Sequence, residues 1–265
     1  MKTKNSQVIA RRARVTALKM VHSARASHIG SSLSVIDILS VIYSKAKNPG
    51  DENHSDFVLI SKGHAAAGVY AVLKEFGYLS EEDIASYCAD GAKLSGHVTS
   101  TDIPSVTLST GSLGHALPVA VGIALGKKRK NLTGNVYVVM SDGELNEGSN
   151  WEGFLSAANF ALDNLIVIID RNRLQSLRST EETMKLDSLN AKFSAFNWIC
   201  VEVDGHDHDA LNSAIIHENE KPKIIIANTT KGKGVSFMEN SVPWHYKSPN
   251  DVELADAISE INNER

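Results

Sequence analysis

Asp142 and Asn172 are the side chains whose types and spacing offer the most chemistry. Asp142 stands in Ser141-Asp142-Gly143-Glu144-Leu145-Asn146-Glu147-Gly148, directly after the apolar run 136–140. Asn172 stands in Asp170-Arg171-Asn172-Arg173-Leu174, directly after the run 165–169. Both runs read as strands with a helical crossover between them, which predicts the two residues side by side at neighbouring strand ends. A carboxylate, an amide oxygen and a nearby backbone carbonyl form a hard oxygen set suited to Mg²⁺, an ion that takes few protein ligands together with phosphate oxygens. Gly143 lets backbone approach a ligand closely, and a helix starting near Ser149 is expected to aim its free N–H groups at a diphosphate. Taken singly, Asp-Gly after a strand is a turn and Asn a cap. Their combination at matched strand ends points to a metal–diphosphate site.

Histidines supply the second signal. Five of the ten lie beside or close to glycine: His28, His64, His97, His115 and His206. No histidine pair has the i,i+4 spacing or HExxH context of a zinc centre. Near pH 7 imidazole is suited to donate and accept hydrogen bonds and to move protons. His206, in Asp204-Gly205-His206-Asp207 at a strand end, reads as a cap or turn at least as readily as a functional group. His22, His54, His208 and His217 read as surface or packing residues. Ser109-Thr110-Gly111-Ser112-Leu113-Gly114-His115 reads as a glycine-rich connection before an apolar helix.

The elements that must carry these residues follow from periodicity. Helical spacing covers residues 6–26, 33–45, 65–76 (closed by Gly77), 116–125, 150–162, 189–196 and 209–218, with a short terminal helix through Val252, Ala255 and Ile258. Ser80 followed by Asp83 marks a helix start. The apolar run 57–60 reads as a buried strand, and strand-like runs follow at 136–140, 165–169, 199–203 and 224–227. Strands alternating with helices predict a three-layer α/β/α fold around a mainly parallel sheet. Chemistry is then sought just beyond the strands' carboxyl ends.

With those motifs in hand, the chain resembles the transketolase family. Asp142-Gly143 followed by the distant Asn172 resembles the thiamine diphosphate fingerprint, with Ser141 in place of its usual first glycine. The stretch Asp142 to Glu152 looks like the N-terminal half of split transketolases, and the likeness runs from about residue 22 to residue 247. The resemblance implies a thiamine-diphosphate-binding fold, with Asp142, Asn172 and the Leu174 carbonyl on Mg²⁺ and Gly143 on the diphosphate. It also places the Gly111 carbonyl at the aminopyrimidine and Leu113 near the thiazolium, with Ser112 and Glu144 among the cofactor-binding residues. Glu147 is implied in an acidic link between paired sites. His28, His64, His97 and His245 match substrate-facing histidines, and His64 also meets the cofactor. Ser112 and His115 stand where the family commonly has Pro and Gln, changes that bear on substrate preference.

The implied reaction transfers a two-carbon glycolaldehyde unit from a ketose or its phosphate to an aldose, as in the pentose phosphate pathway. Other thiamine diphosphate enzymes (a 2-oxoacid dehydrogenase α subunit, a deoxyxylulose phosphate synthase) share the Asp142/Asn172 pair. The histidine set favours sugar chemistry. A non-catalytic homologue is expected to have lost ligands or histidines, and none is lost. A nicotinamide-binding reading lacks Gly-x-Gly-x-x-Gly after any strand, and Gly122 to Lys127 falls one residue short of a Walker loop.

Composition bounds the rest. The 265 residues, 42% hydrophobic, read as a single diphosphate- and Mg²⁺-binding domain over residues 1–265. After the last strand only residues 231–250 and the terminal helix remain, so the pyrimidine-binding half is expected on a partner chain, a C-terminal transketolase subunit in an α₂β₂ heterotetramer. A net charge of −4 argues against nucleic acid as partner. Arg11-Arg12-Ala13-Arg14 and Lys127-Lys128-Arg129-Lys130 are expected on solvated helix faces or ends. The polar start and the lack of a spanning apolar run argue against a membrane, and two distant cysteines fit a reducing cytoplasm.

Overall fold

The computed structural model describes residues 5–47, 56–103, 105–216 and 220–263. The chain opens with α1 (Ser6–Ala24), whose buried face carries Ile9, Ala10, Ala13, Ala17, Leu18 and Val21 at helical spacing, and whose start is capped by the Asn5 side chain. The next helix, α2 (Ile29–Lys45), is buried on every side from Ile29 to Tyr43. A helix apolar nearly all round belongs inside, and its polar residues there need partners. It starts four residues before the expected Leu33, because Gly30, Ser31 and Ser32 are weak helix formers whose helicity comes from packing.

Strand β1 (Phe57–Ile60) leads through a 3₁₀ turn (Gly63–Ala65) into α3 (Ala66–Phe76), closed by Gly77 at φ +86°. Helix α4 (Glu81–Ala85) carries a full capping box between Ser80 and Asp83. A long connection then reaches α5 (Ala116–Arg129), followed by β2 (Val136–Ser141), a 3₁₀ turn (Gly143–Asn146), α6 (Gly148–Asn159) and β3 (Leu165–Arg171). Next come α7 (Thr180–Thr183), α8 (Leu189–Ala195), β4 (Ile199–Asp204), α9 (His208–Ile216) and β5 (Lys223–Asn228). A last 3₁₀ turn (Val242–His245) precedes α10 (Asp251–Asn263).

Among the described residues five strands pair in parallel in the order β1-β2-β3-β5-β4. Alternate residues feed two cores. Val58, Ile60, Tyr137, Val139, Ile166, Ile168 and Ile225 pack with α1, α2, α3 and α10 on one face. Leu59, Val136, Val138, Met140, Leu165, Val167 and Ile224 pack with α5, α6 and α8 on the other. The period of two along each strand therefore builds a three-layer α/β/α arrangement.

Two charges depart from expectation. Arg11 and Arg12 are exposed, but helical phase turns Arg14 inward, where its guanidinium pairs with Asp37. Lys127 is also buried, its ammonium 5.2 Å from the Phe57 ring centroid, while Lys128, Arg129 and Lys130 face solvent. Their long methylene stems make this placement possible. His208 is buried between Ser6 and Asp37, and His22 meets Asp251 at 2.9 Å. His54 and His217 lie outside the described residues. No described helix is long and apolar enough to cross a membrane.

Candidate functional site

Parallel strands point their carboxyl ends one way, and the chain turns off four of them into a single cleft of about 250 Å³. His64 follows β1, Asp142 and Gly143 follow β2, Asn172 and Leu174 follow β3, and Lys231 follows β5. His28, at the start of α2, and His245 close one side; His97, Gly111 and Leu113 from the α4–α5 connection close another. That connection is fastened to β1: the Thr110 hydroxyl donates to the Ile60 carbonyl at 2.7 Å, and Val98 N–H to the Gly63 carbonyl at 3.0 Å. Gly63 permits the approach, since a Cβ there would lie 2.4 Å from the Thr110 carbonyl oxygen.

Four histidines converge. The His28 ring centroid lies 5.5 Å from that of His64, 5.6 Å from His97 and 4.9 Å from His245. His28 sits at φ +73°, and its N–H donates to the His245 carbonyl at 2.8 Å, so the site holds a backbone conformation that costs about 1–3 kcal/mol. Burial, then the neighbouring His97, Lys231 and Lys62, push the His28 imidazole down to about 4. Burial and Lys231 push His245 down to about 3, and burial and Lys62 hold His64 well below the usual histidine range. These three rings are neutral at pH 7.

With His28 titrating near 4 in the folded chain against 6.5 unfolded, the unfolded chain binds more protons between those values. The stabilisation from a neutral His28 is complete above about pH 6.5 and is lost as pH falls toward 4. Urea unfolding is therefore expected to show less stability at pH 5 than at pH 7, and His28→Asn to flatten that difference. An unchanged pH dependence in the variant would remove the neutral-histidine assignment.

Asp142 is wholly buried beneath the cleft floor. One carboxylate oxygen accepts the Gly143 N–H at 2.8 Å; the other accepts the Arg173 N–H at 2.6 Å and the Arg171 guanidinium at 3.3 Å. Burial raises its pKa and the Asp170 charge adds to that, with Arg171 opposing. A cation at this carboxylate would offset the desolvation. The Asn172 amide oxygen accepts the Leu174 N–H at 3.1 Å, and the Leu174 and Gln175 carbonyls already turn toward a positive charge, the Lys231 ammonium at 3.3 and 3.1 Å. Among the described residues no three His, Cys, Asp or Glu side chains cluster as a metal site. An ion here would use Asp142, Asn172 and Leu174 with oxygens of its ligand. The donor set fits Mg²⁺ and a diphosphate.

Other sequence-based candidates fall elsewhere. Glu144 is fully buried behind the cleft, accepting from the Ser61 hydroxyl and from Gly114 N–H at 2.9 Å, where it ties the β1 end to the glycine-rich loop. Ser112, His115 and Glu147 are exposed and do not line the cleft. No residue of α6 lines the cleft, and at its start the Ser149 hydroxyl donates to the Gly114 carbonyl at 2.7 Å. The sequence reading assigned no role to Lys231, Ser31 or Gln175, which all line the cleft. Lys231 was detectable, as a lysine just past the last strand on the edge where ligands bind. Burial, with Lys62 nearby, pushes its ammonium down to about 8.

Known proteins share this chain's sequence pattern and fold. The model of the transketolase thiamine diphosphate binding domain matches residues 5–260. One subunit of the apulose-4-phosphate transketolase of Actinobacillus succinogenes is 41% identical over 251 residues, covering 92% of this chain and 90% of that protein. The 6-deoxy-6-sulfo-D-fructose transketolase subunit SqwG of Clostridium sp. is 32% identical over 259 residues, covering 95% of this chain and 94% of that one. The transketolase of Campylobacter jejuni superposes with a TM-score of 0.90 at 30% identity, over 98% of this chain and 43% of its own. The chain thus spans nearly the full length of the two subunits and under half of the longer enzyme. It belongs to the transketolase family and carries that family's thiamine diphosphate binding domain.

Proposed function

We propose that this chain is the N-terminal, cofactor-binding subunit of a split transketolase that moves a two-carbon ketol unit from a ketose to an aldose. The observation that carries this reading is the meeting of His28, His64, His97 and His245 above the Asp142–Asn172–Leu174 oxygen set in one cleft. Thiamine diphosphate supplies the electron sink that makes cleavage beside a ketose carbonyl possible. Asp142, Asn172 and the Leu174 carbonyl hold Mg²⁺, and the Lys231 ammonium balances diphosphate charge. Gly143, where a side chain would crowd Gln175 at 3.0 Å, leaves backbone free to meet the phosphates. Gly111 and Leu113 flank the ring system. The neutral histidines orient the donor's hydroxyls and take the proton from the hydroxyl oxygen that becomes the leaving aldehyde.

The pyrimidine-binding half is assigned to a partner subunit, in an α₂β₂ assembly with Glu147 facing the paired site. Support comes from relatives named as subunits that the chain matches almost end to end. The substrates in those relatives' names, apulose 4-phosphate and 6-deoxy-6-sulfo-D-fructose, support specialised sugars and sugar phosphates over the common pentose phosphates as donors. Free Cys88 and Cys200 fit a cytoplasmic protein.

The test is reconstitution with a candidate C-terminal transketolase subunit, assayed with thiamine diphosphate and Mg²⁺ on a panel of ketoses and aldoses. Turnover is expected only from the pair. Equal two-carbon transfer by this chain alone would overturn the split assignment, and no transfer to any aldose would overturn the reaction.

A further inference from the structure

Asp37 lies outside the cleft, on the buried helix α2, and is 4% exposed. A carboxylate at such a place must find partners. It finds three: the Arg14 guanidinium, His206 Nδ1 at 2.6 Å and His208 Nε2 at 3.0 Å. Burial alone would raise its pKa, but Arg14 and the two histidines hold it far below the usual carboxylate range. It is an anion in the folded chain.

Two of those partners reach on to one segment. His206 Nε2 receives the backbone N–H of Thr230 at 2.8 Å, and Arg14 Nε donates to the Lys233 carbonyl at 3.2 Å. These contacts grip the arch 230–233 at both ends. Between them Gly232 takes φ +83°, donates to the Gly30 carbonyl at 3.0 Å, and leaves no room for a Cβ, which would lie 2.3 Å from the Met238 carbonyl oxygen. The residue at the crown is Lys231, 1% exposed, whose ammonium meets His245 Nδ1 at 3.0 Å as well as the Leu174 and Gln175 carbonyls.

The hydrogen bonds also settle the state of His206. A backbone N–H only donates, so Nε2 must offer its lone pair. The proton is then on Nδ1, donated to Asp37. Asp37 selects the tautomer that can hold Thr230.

We propose that Asp37 and His206 are positioning residues for the candidate cofactor site: the carboxylate fixes the His206 tautomer, His206 and Arg14 clamp the arch, and the arch aims the Lys231 ammonium into the cleft. The inference rests on the functional reading above for the identity of the ligand, a diphosphate. The competing account is a purely structural staple joining α1, α2 and α9.

Separating the two requires a readout that packing alone would not move. In the reconstituted pair, His206→Ala is expected to weaken Mg²⁺-dependent thiamine diphosphate binding by about 10–100-fold, the usual cost of removing an outer partner of a ligand-binding group. His206→Gln, whose amide can donate to Asp37 and accept from Thr230, is expected to recover most of that affinity. In a Lys231→Met background His206→Ala should cost little more, because the effect passes through the lysine. Imidazole ¹⁵N spectra of the wild-type chain should show His206 protonated on Nδ1. Cofactor binding unchanged by His206→Ala, a Gln variant as weak as the Ala variant, a full additional loss without Lys231, or a proton on Nε2 would each overturn the proposal. If the wild-type pair fails to bind thiamine diphosphate, the functional reading falls instead, and the tautomer spectrum still decides the role of His206.

Discussion

Asp142→Asn is expected to leave the fold standing and to weaken Mg²⁺-dependent thiamine diphosphate binding by about 100-fold or more, since lesser changes in groups that merely support a metal ligand already cost about 10–100-fold. The variant is chosen for its shape. An asparagine oxygen can still accept the Gly143 or Arg173 N–H that the carboxylate accepts at 2.8 and 2.6 Å, so the turn after β2 keeps its framework. What disappears is the negative charge. In this buried position Arg171 offsets the cost of that charge only in part, and its removal is tolerable because Arg171 retains Glu181 and Asp187 at 3.0 and 3.1 Å. Calorimetric titration of the reconstituted pair with cofactor at fixed Mg²⁺, beside a thermal melt, separates the two effects. Unchanged affinity would end the metal assignment. A collapse of the melting temperature equal to that of a core deletion would make Asp142 a structural residue first.

Lys62→Ala should destabilise the chain by about 3–5 kcal/mol, the cost of breaking a buried ion pair from one side. Both members of the Lys62–Asp170 pair are 0% exposed. The Asp170 carboxylate is wedged between β3 and α2, where it also accepts the Ser34 hydroxyl at 2.6 Å and the Thr229 hydroxyl. Burial opposes its ionisation, and the Lys62 charge and hydrogen bond overcome that to keep its pKa low. Without the lysine the carboxylate must stay charged and desolvated or take up a proton and lose its best partner. The melting temperature is expected to fall by roughly 10 °C. The double replacement Lys62→Met with Asp170→Asn should recover much of the loss, because no unpaired charge is then buried and an asparagine oxygen can still accept the Ser34 or Thr229 hydroxyl. A double variant as unstable as the single would show that packing, not the charge pair, carries the stability. The pair also underlies the site, for His64 and Asn172 each lie two residues beyond one of its members.

Much of the fold was legible because the signals are local. Val136 to Met140 and Leu165 to Ile169 are unbroken apolar runs, and the structure extends them only to Ser141 and Arg171. The middle of a strand buried on both faces of a parallel sheet is apolar throughout, so the run itself marks the strand. Ser80 and Asp83 announced a helix through the capping box they form. The same signature in Ser179-Thr180-Glu181-Glu182 caps α7 in the same way, but no apolar periodicity follows it to mark a helix there.

The site was legible in part. Asp142, Gly143 and Asn172 stood out because they directly follow strands, and Leu174 and four histidines stood out through the family pattern; all of them line the cleft. Ser112, Glu144 and Glu147 sit within the same motifs yet do not line it, since a motif names a segment and the backbone turn decides which of its side chains faces inward.

The sequence by itself determined the parallel α/β elements, the strand-end positions of Asp142, Asn172 and Leu174, and the family, all carried by residues near one another in the chain. Only the tertiary structure decided that Lys231 belongs with Leu174, that Asp37 holds the arch beneath that lysine, and that Arg14 is buried. The strand order β1-β2-β3-β5-β4 sets β5 beside β3, bringing positions 174 and 231 together across 57 residues of sequence. Local periodicity records which face of an element is buried; which elements share that face depends on the pairing of distant strands.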